Sequence, residues 1–400
     1  MRLRREEGTP RAVLFTPAFL LVVAITLVYF LSVGVVLPVL PRYVQGPLAS
    51  GSVAVGLVTG AFGIGAVASR PFAGRVSDRK GRRPLIVAGA ALVAASVFAF
   101  RFTGAVAPLL FLRLLNGVGE AFFFVGVASM VNDLAPQGRR GEAVSHFSLA
   151  VFTGLGAGPV IGEWLLGPAP GRFWLVWLVA AVMVLASAAL GLAVPSARPV
   201  HPPATEQPTP LVHRAALLPG LVLASGIWGV GGFLSFVPLH ALRLGMDGAR
   251  LPLAVYSAII ISFRSLGARV PDRLGPRRTT TSSLAASASG LLVMALWADP
   301  AGLYAGTILL AVGQALCFPA LMTLAVEAAP PSERGAVVGT FTAFFDLAFS
   351  LGAVSLGGVA SAYGYRGAFA GGALAAATGL VFLVPRIRRL SPPVRPADLA

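Results

Sequence analysis

Charge is what this 400-residue sequence has least of. Asp, Glu, Lys and Arg make up 12% of it while 56% is hydrophobic, against about 25% charge in a soluble domain. That balance excludes a water-exposed globular domain and leaves a membrane protein by composition. There is one cysteine, Cys317, inside an apolar run; an intramolecular disulfide is excluded, and the residue reads as a small buried apolar one. Histidine is nearly as scarce: His146, His201, His213 and His240 form no metal-ligand spacing and no H-E-x-x-H, so no metal centre is expected. The absence of a P-loop removes ATP as a driving force. The string "GLGAGP" has no strand before it and lies within an apolar helical run, which excludes a dinucleotide loop. No cofactor and no enzyme chemistry are expected.

What is abundant is apolar length. Twelve runs follow one another, with cores near 17–40, 53–71, 85–102, 108–131, 144–166 and 173–194, then 217–239, 251–266, 280–298, 303–326, 335–360 and 368–384. Each is suited to crossing a hydrocarbon core of about 30 Å as a helix. Basic residues precede the first run, but its length and the lack of a small-residue cleavage site predict a retained helix rather than a signal peptide. The net charge of +16 points to topology, not to nucleic acid. With both termini on one side, 24 of the 31 Lys and Arg residues fall on that side; Arg42, Arg101, Arg172, Arg243, Arg250 and Arg366 fall on the other, and Arg113 lies inside a span. The positive-inside rule then predicts cytoplasmic termini, with the basic loops also touching anionic lipid.

The chain repeats itself. A Pro-rich interval, 195–214, separates six runs from six and reads as an extended linker, giving an N-terminal bundle over 1–194 and a C-terminal bundle over 215–400. At an offset of 194 residues, Asp78 meets Asp272, Arg79 meets Arg273, Gly81 meets Gly275, and Arg70 meets Arg264. "VGEAF" at 118–122 faces "VGQAL", which pairs Glu120 with Gln314. Duplication of a six-helix unit predicts an all-α transporter architecture with the pathway between the halves.

The loop "GRVSDRKGRR" carries Gly74, Asp78, Arg79, Gly81, Arg82 and Arg83, and in the setting of twelve spans it resembles the G-x-x-x-D-R-x-G-R-R/K loop of the major facilitator superfamily. "RLLNGVGEA", starting at Arg113, is similar to the fourth-helix motif of proton-coupled members, with Asn116 where many carry Gln. "GLGAGPVIG", Gly154 to Gly162, is similar to the fifth-helix pattern of antiporters; in the second half Ala353 replaces the proline. The resemblance implies the superfamily fold, alternating access, a gating role for the charged loop, and likeness to twelve-span bacterial efflux permeases of the drug or sugar type.

The residues carry their own readings. Gly74 and Gly81 permit a turn and close helix approach, Asp78 pairs with arginines or a helix N-terminus, and Arg82 and Arg83 face lipid phosphate or carbonyls; plain topological anchoring is the alternative. Gly154, Gly158 and Gly162 line one face for close packing, and Pro159 bends the helix. Charges within the bilayer default to functional candidates. Glu120 is the first candidate for a proton or cationic-substrate site, with Arg113 two turns away to set its ionisation and a static pairing with Arg113 as the alternative. Asp346 is the second, and Asn116 and Gln314 complete the set. Arg70 and Arg264 are expected to snorkel at cytoplasmic ends, and Glu163 to be solvated near the outer face.

The expected function is proton-coupled export of a small amphiphilic or sugar-like molecule across a bacterial inner membrane by a monomer, its partners being substrate, protons and lipid. An importer or uniporter of the same fold, and a non-transporting receptor or scaffold, are the alternatives.

Overall fold

The structure, a computed structural model, describes residues 14–136, 139–167, 171–196, 212–266, 274–330 and 333–387. Asp272 and Arg273, most of the 195–214 linker, and the side chains of Asp78 and Arg264 lie outside the described residues.

The helices begin where local chemistry starts them. In α1 (Pro17–Gln45) the Phe19 N–H donates to Thr16 Oγ1 at 3.2 Å with Pro17 in the first turn, the arrangement that satisfies an orphan donor and fixes φ in advance. After α2 (Ser52–Lys80), Gly81 at φ 90° makes the sharp break into α3 (Arg82–Ala99), a conformation that only glycine adopts cheaply. Then come α4 (Val106–Leu134), α5 (Arg140–Leu166) and α6 (Phe173–Gly191). His213 caps α7 (Arg214–Arg243), and α8 (Arg250–Leu266), α9 (Pro276–Leu296) and α10 (Pro300–Glu327), capped by Asp299, follow.

Continuous helix runs from Arg334 to Arg386. At 1.5 Å per residue it would be about 80 Å long, far more than a bilayer. Non-helical backbone at Gly364 (φ 72°) divides it, giving α11 (334–363) and α12 (365–387). Ten of these stretches are long and apolar enough to cross a membrane, counting the divided one once, and α8 supplies a shorter apolar helix. The division of that stretch at Gly364 brings the number of helices among the described residues to twelve, as the hydropathy runs predict.

Packing repeats with the sequence. α1 lies against α5 and α6, α2 against α4, and α3 against α4 and α6; in the second six, α7 lies against α11 and α12, α8 against α10, and α9 against α10 and the α11–α12 pair. The bundles meet mainly through two equivalent pairs, α2 with α11 and α5 with α8, with α1 also touching α7.

Glycine sets both kinds of contact. Within the first bundle, a Cβ on Gly158 would lie 2.5 Å from Leu31 O and 2.6 Å from Gly34 Cα, and one on Gly162 2.2 Å from Val35 O, so α1 and α5 touch backbone to backbone. Between the bundles, Gly56 would meet Ala353 O at 2.4 Å and Gly60 would meet Ser350 O at 2.7 Å. This second ladder lies in the half of α2 farther from the charged loop. Nearer the loop, Gly74 on α2 and Gly335 and Gly339 on α11 meet none of the described residues at the Cβ position. Among the described residues the bundles therefore close on each other at the far end and diverge toward the loop.

Candidate functional site

Where α2, α4 and α11 converge, three ionisable side chains meet in the interior. α4 brings Glu120, which is buried, α11 brings Asp346, and α2 brings Arg70 between them. Arg70 Nη2 is ion-paired with Asp346 and stands 4.0 Å from Glu120 Oε2, while Nη1 donates to Thr342 Oγ1 at 3.5 Å. The guanidinium also lies over the Phe124 ring at 5.4 Å, an arrangement that favours a cation where water is scarce. Since Arg70 and Glu120 belong to the first bundle and Asp346 to the second, the cluster is also a tie between bundles.

Several polar atoms around it have no hydrogen-bond partner among the described residues: Arg70 Nε, Glu120 Oε2 and the Tyr29 hydroxyl. Tyr29 stacks on Phe123 at 3.7 Å and lies within electrostatic reach of Glu120. Buried polar groups ordinarily find partners, so this concentration marks a place built for something other than static packing.

The expectation that Arg70 snorkels at a membrane edge is therefore corrected. It arose from ending the second span at Pro71, but α2 runs through that proline to Lys80, which places Arg70 about 15 Å of helix from the end. The expected partnership of Glu120 with Arg113 is corrected too. Arg113 is buried in a separate network: Nε donates to Val58 O at 3.2 Å, Nη1 to Asn116 Oδ1 at 3.3 Å, and its guanidinium covers Phe62 at 4.9 Å. Asn116 donates in turn to Ser96 Oγ. Gln314, the repeat counterpart of Glu120, turns inward to its own bundle, donating to Ser287 Oγ at 3.0 Å. Of the five sequence candidates, the structure brings Glu120 and Asp346 together and leaves Arg113, Asn116 and Gln314 as bundle-internal polar links.

At the charged loop, Gly81 makes the predicted turn, whereas Gly74 has no close neighbour. Arg79 is exposed. Arg82 does not face lipid: Nε donates to Asp133 Oδ2 at the end of α4 at 3.2 Å and Nη1 to Ser77 Oγ at 3.0 Å. The Gly154–Gly158–Pro159–Gly162 face packs on α1 of its own bundle. Glu163, expected to be solvated, is buried against Arg42 at 3.1 Å.

Sequence reasoning missed two things that left a signal. Arg70 recurs at Arg264 one repeat later, and the Gly56–Gly60–Gly63 spacing on α2 marks a close-packing face as plainly as that of α5.

Two like bundles of membrane-length helices, joined midway along their length by a charged cluster and, among the described residues, parted toward one end, define a membrane-transporter fold. A family model described as Major Facilitator Superfamily matches residues 22–300 and 249–400, and the chain belongs to that superfamily. An MFS-type transporter of Burkholderia mallei (strain SAVP1) is 31% identical over 393 residues, covering 92% of this chain and 93% of that one. One of Pseudomonas aeruginosa (strain UCBPP-PA14) is 31% identical over 391 residues, covering 92% of each. Among solved structures, the peptide transporter POT aligns with a TM-score of 0.77 at 16% identity, over 94% of this chain and 95% of that one. The nucleoside transporter NupG aligns at 0.74 and 15% identity, over 94% and 100%. The protein is thus a multi-pass membrane transporter, not an enzyme.

Proposed function

We propose that the protein exports a small amphiphilic or sugar-like molecule in exchange for protons, with Arg70, Glu120 and Asp346 as the coupling site. The observation that carries this reading is the charge count of the cluster. Two carboxylates against one guanidinium leave one uncompensated negative charge when all three are ionised, and an unpaired buried charge is expensive. One proton, or one cationic group on the cargo, neutralises it. Proton and cargo then compete for the same carboxylates, which is the condition for exchange.

Because the Arg70–Asp346 pair joins the bundles, loading the carboxylates also weakens the tie between them, linking occupancy to rocking of residues 1–194 against 215–400 around the linker 195–214. The far-end contacts and the open loop end correspond to an inward-facing state, with both termini and the charged loop in the cytoplasm of a bacterial cell and the inner membrane around a monomer. Export is supported by the Gly-Pro pattern of α5. The Phe124 ring beside Arg70 suits an amphiphile.

The test is proton flux in reconstituted vesicles under an imposed pH gradient with candidate cargoes. Substrate-dependent proton movement that Glu120→Gln or Asp346→Asn abolishes supports exchange. Substrate movement with no proton flux in the native protein refutes coupling and favours facilitated import.

A further inference from the structure

At the far end of the molecule, α5 ends with Glu163 directed at the other bundle. Its side chain is 2% exposed. Oε2 accepts from Arg42 Nη1 at 3.1 Å, and also from the Ala249 N–H at 3.3 Å. Ala249 immediately precedes Arg250, the first residue of α8, so the carboxylate sits at the positive end of that helix and satisfies one of its orphan donors. Gly248 completes the fit: its φ is +147°, and a Cβ there would lie 2.5 Å from Glu163 Oε2. A cavity of about 360 Å³ opens beside the contact, lined by Glu163, Asp247 and Arg250 among others. Glu163 Oε1 is buried without a hydrogen-bond partner among the described residues.

The partners divide by bundle. Arg42 is on α1, the same bundle as Glu163, and is itself buried; Gly248, Ala249 and α8 belong to the other. When the bundles part at this end, the carboxylate keeps its arginine and gives up the Ala249 N–H, the helix end and the attraction of Arg250 at the start of α8. No naked charge is created in either state, so the contact can be made and broken repeatedly.

We propose that Glu163, held in place by Arg42, is the far-side gate of this transporter: a positioning carboxylate that latches the first bundle to the start of α8 and must release Ala249 before the site opens away from the charged loop. The role rests on alternating access but on neither the direction of transport nor proton coupling at Arg70, and its test uses neither cargo nor protons.

Two single cysteines report the two ends in a Cys317→Ser background. Ser257→Cys lies on α8 at the interface with α5, where Gly156 would meet the Ser257 Cβ at 3.3 Å. Gly339→Cys lies one turn before Thr342 at the open end. Maleimide labelling rates are measured on purified protein in detergent. Glu163→Gln keeps an acceptor for the Ala249 N–H but exchanges a charge-assisted hydrogen bond for a neutral one about half as strong, which shifts an equilibrium by about tenfold. Glu163→Gln is therefore expected to speed labelling at Ser257→Cys about tenfold and to slow it at Gly339→Cys. Arg42→Lys, which keeps the charge, is expected to stay nearer the native rates. An unchanged rate at Ser257→Cys overturns the proposal; so does a rise there without a fall at Gly339→Cys, because that reports loosening and not gating. Should Glu163→Gln fail to fold, Gly248→Ala applies the same test from the other bundle with Glu163 intact.

Discussion

Replacing Arg70 with methionine removes the guanidinium that holds two buried carboxylates, and the structure sets how much that should cost. Glu120 lies 4.0 Å away and Asp346 is in direct contact. At an effective dielectric constant near 20, each such pair attracts by about 4 kcal/mol. The Arg70 side chain is 16% exposed, so solvent screens part of this. Removing one partner from a buried pair costs about 3–5 kcal/mol, and the lower end, about 3 kcal/mol, applies here. The geometry also imposes an order. Asp346→Asn leaves Arg70 with Glu120 and should cost only about 1–2 kcal/mol, whereas Arg70→Met leaves two like charges facing each other. In the double variant Arg70→Met/Asp346→Asn the losses should fall short of their sum by about 2 kcal/mol, the coupling of groups in one network. The assay is SDS-induced unfolding in mixed micelles, followed by tryptophan fluorescence. A cost for Arg70→Met below about 1 kcal/mol, or Asp346→Asn costing as much as Arg70→Met, would refute the placement of Arg70 as the shared partner.

The same chemical change should act differently on the two glycine ladders. Gly158→Ala, inside one bundle, is expected to lower stability by about 1–3 kcal/mol in the same unfolding assay without altering labelling at Ser257→Cys; Gly56→Ala, between bundles, is expected to raise that labelling. The Tyr29 hydroxyl is buried without a partner among the described residues, so Tyr29→Phe should leave stability unchanged or raise it by up to about 1 kcal/mol, and a loss larger than that would mean that the hydroxyl is bonded. Gly364→Ala forces a side chain into the left-handed region and should cost about 1–2 kcal/mol, read as a lower unfolding midpoint.

Much of this protein is legible in the sequence because the bilayer makes it so. Lipid offers backbone groups no partners, so each crossing must be a long apolar helix, and the twelve runs are visible as composition alone. The repeat at 194 residues, the turn at Gly81 and the close-packing face of α5 are likewise local facts, written in spacing and residue type. Glu120 and Asp346 stood out because charge inside an apolar run is costly.

What the sequence did not determine is who meets whom. Arg113 and Arg70 are both arginines near α4, and linear spacing favoured Arg113; the crossing of α2 over α4 and α11 gave the carboxylates to Arg70 instead. Glu163 sits three residues from a helix end and reads as solvated until the α7–α8 loop of the other bundle folds over it. Partner choice across bundles depends on the relative placement of helices far apart in the chain. A side chain's helical period says which face it occupies, and only packing decides what that face touches.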